Sequence, residues 1–364
     1  MNKYINYNFK ILSFFGMVFI TSGHCLGGGI SLLYDWFPFA GFHVALFVFI
    51  SGYFFSFNKL GSVKHIIKRI KKLFIPLYLW NLFYGLLIQF LSLKSFTIGG
   101  GLTLENLLVK PVLDGHHFVY NMGGWFIPSL FAAELLTFLI YFLLDNFHKK
   151  PNELFVFVFY VFLGMLGIVM AQNGINTGYF LPVVRFLYFL PFYSLGILYK
   201  KLEKYDIISS FKYFSCVFII QFLIANTYGS VPVYAPSWCN DFNQHIFTPY
   251  VVGFTGIAFW LRLSKLLTPM LSKMKLIMKV ANSTYSIMIN QFLGFMVLKT
   301  IFALLSKYTP LFSDFDMTNY KTNIWYYYLP NGVQGWLIVY LIFGLTIPVL
   351  MQDGIKKLRL YIGM

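Results

Sequence analysis

The feature that most limits what this chain can fold into is its succession of apolar runs, each about as long as a bilayer is thick. A transmembrane helix needs about 20 predominantly apolar residues. On that measure spans fall near 9–26, 36–57, 73–93, 124–144, 153–171, 179–199, 211–228, 248–263, 281–305 and 335–352. Only 11% of the residues are charged and 58% are hydrophobic, where soluble domains carry about 25% charged. Such a chain cannot cover itself with a polar surface. The sequence therefore predicts an all-α, polytopic membrane protein of about ten transmembrane helices, a single membrane-embedded unit over 1–364 with no separate soluble domain.

Charge tests that count. A net charge of +16 would suit a nucleic-acid binder if it lay on one face or in one tail, but the basic residues recur in short blocks between apolar runs. With the N-terminus inside, the inner segments hold 22 of the 28 Lys and Arg, and the outer loops hold Lys94, Lys110, Lys307 and Lys321. That asymmetry is the positive-inside pattern of an N-in, C-in chain with an even number of helices. The expected location is the cell (plasma or inner) membrane, and the expected partner is the bilayer, not nucleic acid. The first run lacks a small-residue cleavage site and reads as a retained helix. Cys25, Cys216 and Cys239 show no CxxC or metal spacing and read as small apolar fillers; no pattern supports a disulfide.

Ionisable groups at membrane depth cost about 2.5–3.5 kcal/mol when charged, so they face protein or a wet cavity. His24, His43, Glu134, Arg185 and Lys299 qualify, with Gln89, Asn290 and Gln291 as uncharged companions. His24 sits in TSGHCLGGG, at or just inside the outer boundary, between Gly23 and Gly27–Gly29. It is either a neutral interfacial imidazole or a general base. His43, at similar depth, is a candidate partner; no third ligand at a metal spacing accompanies the two, so no metal is expected. Glu134 and Arg185 form an ion pair that sets helix register or else orient a substrate, and Lys299 snorkels outward. The inner block KLGSVKHIIKRIKKLFIPLYLW places Lys68, Arg69, Lys71 and Lys72 just before Pro76. It is a stop-transfer cluster or a seat for a polyanion such as the phosphates of coenzyme A. The long outer loops, rich in Gly, Pro, Asn and aromatics, are either interface belts or carbohydrate surfaces.

The order of these features resembles the acyltransferase 3 family of integral membrane acyltransferases. FHVALFVFISGYFF, with Ser51 and Gly52, is similar to the end of that family's second helix. RIKKLFIPLYLW is similar to its R-x-x-R block, GGWFIPSLFAAELL to its Trp-Phe-Leu segment through Trp125, Phe126 and Leu130, and NSTYSIMINQFLGF to its late Ser-Tyr-x-Ile segment. The resemblance implies an acyl-CoA donor, usually acetyl-CoA, used as a substrate with no permanently bound cofactor. It implies an acceptor hydroxyl, often on a surface glycan or lipid-linked sugar. By the same resemblance His24 matches the essential histidine, and Lys68, Arg69, Lys71 and Lys72 match donor-binding positions. Trp125, Glu134 and Arg185 are then expected to shape the cavity, with His43 and Gln291 beside it, and Ser51 with Gly52 to permit close helix packing or donor passage. Two departures stand out: Ser13 occupies the place of a frequent Arg, with Lys10 three residues earlier, and Gln291 occupies the place of a frequent His. Related chains can carry a C-terminal hydrolase-like domain; this one stops at KKLRLYIGM, so transfer is expected to finish within the membrane part. The rival reading is a transporter or flippase for a sugar, lipid or organic anion.

Overall fold

The computed structural model describes residues 6–25, 36–57, 62–242 and 245–361, and among them there is no strand. Its α-helices are α1 (Tyr7–Cys25), α2 (His43–Tyr53), α3 (Ser62–Ser92), α4 (Leu104–Leu108), α5 (Lys110–Leu113), α6 (Phe126–Asn146), α7 (Glu153–Gln172), α8 (Phe180–Leu202), α9 (Ser210–Tyr228), α10 (Thr248–Leu271), α11 (Lys275–Asn282), α12 (Thr284–Tyr308), α13 (Met317–Thr322) and α14 (Trp336–Tyr361). Several helix ends follow from local chemistry. The Asn152 side chain accepts from the Leu154 and Phe155 amides to start α7, and Gly229, at φ 78°, closes α9 in the left-handed region.

Among the described residues eight helices are long and apolar enough to cross a membrane: α3, α6, α7, α8, α9, α10, α12 and α14. The protein is a multi-pass membrane protein. The first two of the ten expected spans differ. α1 is diluted by Asn8, Lys10, Thr21, Ser22 and His24 because it packs on α2, α10, α11, α12 and α14 and faces protein rather than lipid. The second span shrinks to the 11 residues of α2, preceded by a short 3-10 turn at Phe39–Gly41. α2 survives at that length by pressing backbone to backbone on α8. A Cβ at Gly52 would lie 1.9 Å from the Tyr193 carbonyl oxygen, and one at Gly196 2.1 Å from that of Phe49. Gly52 thus serves helix packing.

Two aromatic-rich cores result. One joins α2, α6, α7, α8, α9 and α10; the other joins α3, α12, α14 and the outer loop before α14. α1 lies between them, with Phe9, Leu12 and Phe19 in the first and Cys25 in the second. A 3-10 turn at Met122–Trp125 leads directly into α6. A Cβ at Gly123 would be 2.1 Å from the Met288 carbonyl oxygen, only four residues into α12, so the two backbones meet there without side chains between them.

Candidate functional site

His24 occupies the last turn of α1, at the seam between the two cores. Its Nδ1 lies 3.2 Å from Oε1 of Gln291, which is wholly buried on α12. The other end of that amide settles its orientation: Nε2 of Gln291 donates to the Met288 carbonyl at 3.5 Å, so Oε1 is the atom turned to the ring. An amide oxygen only accepts, so this pairing favours the tautomer with the proton on Nδ1; the Ile20 backbone, one turn earlier on α1, is the ring's other hydrogen-bond partner. The ring rests against Phe292 (centroids 5.0 Å apart) and Trp325 (6.1 Å) and is only partly buried. Its backbone carbonyl, one of those a helix end leaves unpaired, accepts from the Tyr327 hydroxyl.

Helix geometry gives the register. Gln291 is seven residues from the start of α12, roughly 10 Å along it. Its neighbour Asn290 accepts from the Tyr84 hydroxyl at 2.8 Å, and Tyr84 is eight residues, roughly 12 Å, short of the end of α3. The end of α1 therefore meets α12 roughly 10 Å from its start, and the loop before α14 packs against the His24 ring. The glycines at 27–29 lie outside the described residues.

Lys299 does not snorkel. It is buried on α12, donates to the Ile324 carbonyl at 2.6 Å and lies 4.7 Å over the Tyr327 ring. The loop before α14 supplies the acceptor that a lipid-facing position would lack. His43 begins α2 and is half-buried; the partner at Nδ1 of His24 is Gln291.

Glu134 and Arg185 go to different partners. Glu134 binds Arg69, with Oε2 2.6 Å from Nη2 and 2.8 Å from Nε. A small pocket opens beside that pair, lined by Phe55, Ile66, Phe131, Leu135 and Phe138. Arg185 is a knot: it donates to the carbonyls of Leu113, Asp114 and Ser237 and lies 4.9 Å over the Trp125 ring. It ties the loop before α6 to the loop before α10. In that loop His116 stacks on Trp238 with centroids 4.3 Å apart. Burial, and then the Arg185 charge, push its imidazole down to about 4. Burial alone would raise the Asp114 carboxyl, but hydrogen bonds from His117, the His116 amide and Lys110 outweigh it and hold the group below the usual carboxylate range. Trp125 is buried and stacks on Phe189, and Ser51 is half-buried beside Gly52.

The inner basic block is helical, lying in α3 before Pro76 rather than in a loop. Lys68, Lys71 and Lys72 are exposed, while Arg69 turns inward. Lys10 of α1 is close enough to Lys72 for their charges to interact, so the lysine near the missing arginine joins this block. Leu73, at its end, accepts from the Tyr285 hydroxyl at 3.0 Å. Tyr285 stands six residues, roughly 9 Å, below Gln291 on α12. The residues that sequence reasoning missed are Tyr84, Phe292, Trp325 and Tyr327; the aromatic run IWYYY was the signal for the last two.

A family model described as an acyltransferase domain matches residues 6–352 of the chain. No curated protein and no solved structure matches it.

Proposed function

The chain belongs to the acyltransferase 3 family and is a membrane-embedded acyltransferase, and on that premise we propose that it moves an acetyl group from cytoplasmic acetyl-CoA to a hydroxyl of an extracytoplasmic glycan or lipid-linked sugar. The observation that supports this reading is the pairing of His24 with Gln291: an acceptor at Nδ1 favours the tautomer whose Nε2 can take a proton. In the reaction Nε2 takes the proton of the acceptor hydroxyl while its oxygen attacks the thioester carbonyl. The tetrahedral intermediate expels the CoA thiolate, and the imidazolium returns its proton to that sulfur. General-base help of this kind is worth about 10²–10⁴ in rate.

The donor enters from the inner side. Lys68, Lys71 and Lys72 present exposed ammonium groups to its phosphates, with Lys10 near, while Arg69 and Glu134 border the pocket beneath. The register of α3 on α12 brings the end of this block to roughly 9 Å below Gln291, a rise that an extended pantetheine arm spans. The family membership favours an enzyme over the transporter.

The test is thioester consumption by the purified protein in liposomes, with acetyl-CoA on one side and O-deacylated envelope glycan from the source cells on the other. Acetyl transfer to the glycan is expected. An absence of transfer with every glycan fraction overturns the reading. Replacing Lys68, Arg69, Lys71 and Lys72 together by Gln should raise the KM for acetyl-CoA about tenfold or more. An unchanged KM returns the block to a role in orientation.

A further inference from the structure

We propose that Trp325 is the acceptor platform: its half-exposed indole takes the ring of a sugar and so brings one hydroxyl to His24. The inference rests on the glycan reading above and adds where the acceptor sits. Two facts about Trp325 are hard to reconcile unless it holds a ligand. Its side of the loop lies in the protein, with the indole centroid 6.1 Å from that of His24 and 5.5 Å from that of Phe292. Yet the residue is 50% exposed. A tryptophan of an interfacial belt turns its ring to the lipid headgroups; this one stands beside the imidazole at the protein seam, the two ring planes tilted by 31°.

The backbone around it is fastened at nearly every residue. The Trp325 amide donates to Oδ1 of Asn323 at 2.9 Å, and the carbonyl of Ile324 is held by Nζ of Lys299 at 2.6 Å. The Tyr326 hydroxyl accepts from the Asp316 amide at 2.9 Å. The Tyr327 hydroxyl donates to the His24 carbonyl itself, and that of Tyr328 to Asp314. Fixing a large aromatic while leaving much of its surface uncovered adds little to folding, but it removes the ordering cost that a mobile binding loop would bring to association. A flat π face beside a base suits a pyranose. The ring's C–H groups lie on the indole, and its equatorial hydroxyls project from the edge, one of them toward the imidazole. Lys299 and Tyr327 are positioning residues in this arrangement, since they tie the platform to the α12 and α1 ends of the site.

The experiment measures steady-state transfer in liposomes, with acetyl-CoA and O-deacylated envelope glycan, for the wild type, Trp325→Leu and Trp325→Phe. Trp325→Leu keeps apolar bulk without a π face and should raise the glycan KM at least tenfold while the KM for acetyl-CoA stays within twofold. Trp325→Phe should lie within about threefold of the wild type. The acetyl-CoA KM and the thermal midpoint in detergent show that each variant is folded. An unchanged glycan KM in Trp325→Leu, or equal loss in the Leu and Phe variants, overturns the platform and leaves the acyltransferase standing. A wild type that acetylates lipid alcohols but no glycan overturns the glycan reading itself.

Discussion

Arg185 and His24 are both ionisable groups inside helices of the membrane part, and they use their hydrogen-bonding capacity in opposite ways. The guanidinium is surrounded: three carbonyls from two loops and the face of Trp125 occupy it. The imidazole is met by one side chain, Gln291, and by the Ile20 backbone of its own helix. A saturated buried cation has nothing left to offer a substrate, and removing it strands acceptors. A base with hydrogen-bonding capacity to spare is one that chemistry can use. On the proposed reading Arg185 holds the outer loops and His24 serves the reaction.

The largest effect expected is on His24. His24→Ala should lower acetyl transfer by about 10²–10⁴ while membrane insertion and yield stay near wild type, read by liposome assay and by detergent-stable protein recovered. A variant transferring at the native rate would remove the base from the account. Arg185→Met should show the mirror image. It leaves the carbonyls of Leu113, Asp114 and Ser237 without their donor, at about 1–3 kcal/mol for each group left unsatisfied. The thermal midpoint should drop sharply, and the molecules that remain folded should keep most of their specific activity. A stable but inactive Arg185→Met would erase the distinction. Gln291→Leu sharpens it from the other side. With no side-chain acceptor at Nδ1 the imidazole loses the partner that favours one tautomer, and kcat should fall roughly 30-fold, within the range of general-base help, with both KM values little changed. A loss confined to KM would make Gln291 a substrate contact instead.

Much of the membrane architecture is legible in the sequence, since a helix touching lipid must be apolar along its length. The exceptions are instructive. α1 and α2 are judged less well because they touch mostly protein, where polar residues and glycine contacts replace lipid-facing bulk. α3 begins eleven residues before the apolar run that marks it, because its first turns carry the basic block outside the hydrocarbon. At the site, His24 and Gln291 are both legible as polar residues at depth, but their meeting joins positions 267 apart and no local pattern encodes it. The same holds for which acid meets which base. Glu134 is as compatible with Arg185 as with Arg69 in sequence, and only the placement of α3 beside α6 decides for Arg69. Trp325 is hidden for a related reason: an aromatic run in an outer loop looks the same whether it rests on headgroups or packs beside a base.

The smallest expected effect lies in the Arg185 knot and concerns pH. His116 is held to about 4, against an ordinary 6.5. Between those values a locally opened loop binds a proton that the closed loop refuses, so closed-loop stability falls as pH falls through that window. Asp114 works in a different range. Its carboxyl is held low in the closed loop, so its contribution is intact above the ordinary value of about 3.9 and is lost only below it. From pH 6.5 to 4.5 the two are therefore separable, and His116 alone should set the slope, on the order of 1 kcal/mol by pH 5 after allowance for its partial exposure. Proteolysis of the loop before α6, followed across that range in detergent, should accelerate in the wild type and flatten in His116→Gln. His116→Gln should leave transfer at saturating substrates unchanged at each pH in that range, because on the proposed reading the knot holds loops while His24 moves the proton. If the loop's protection and the rate of transfer fell together in the wild type and were rescued together in His116→Gln, the knot and the base would be one unit, and the division drawn between them would fail.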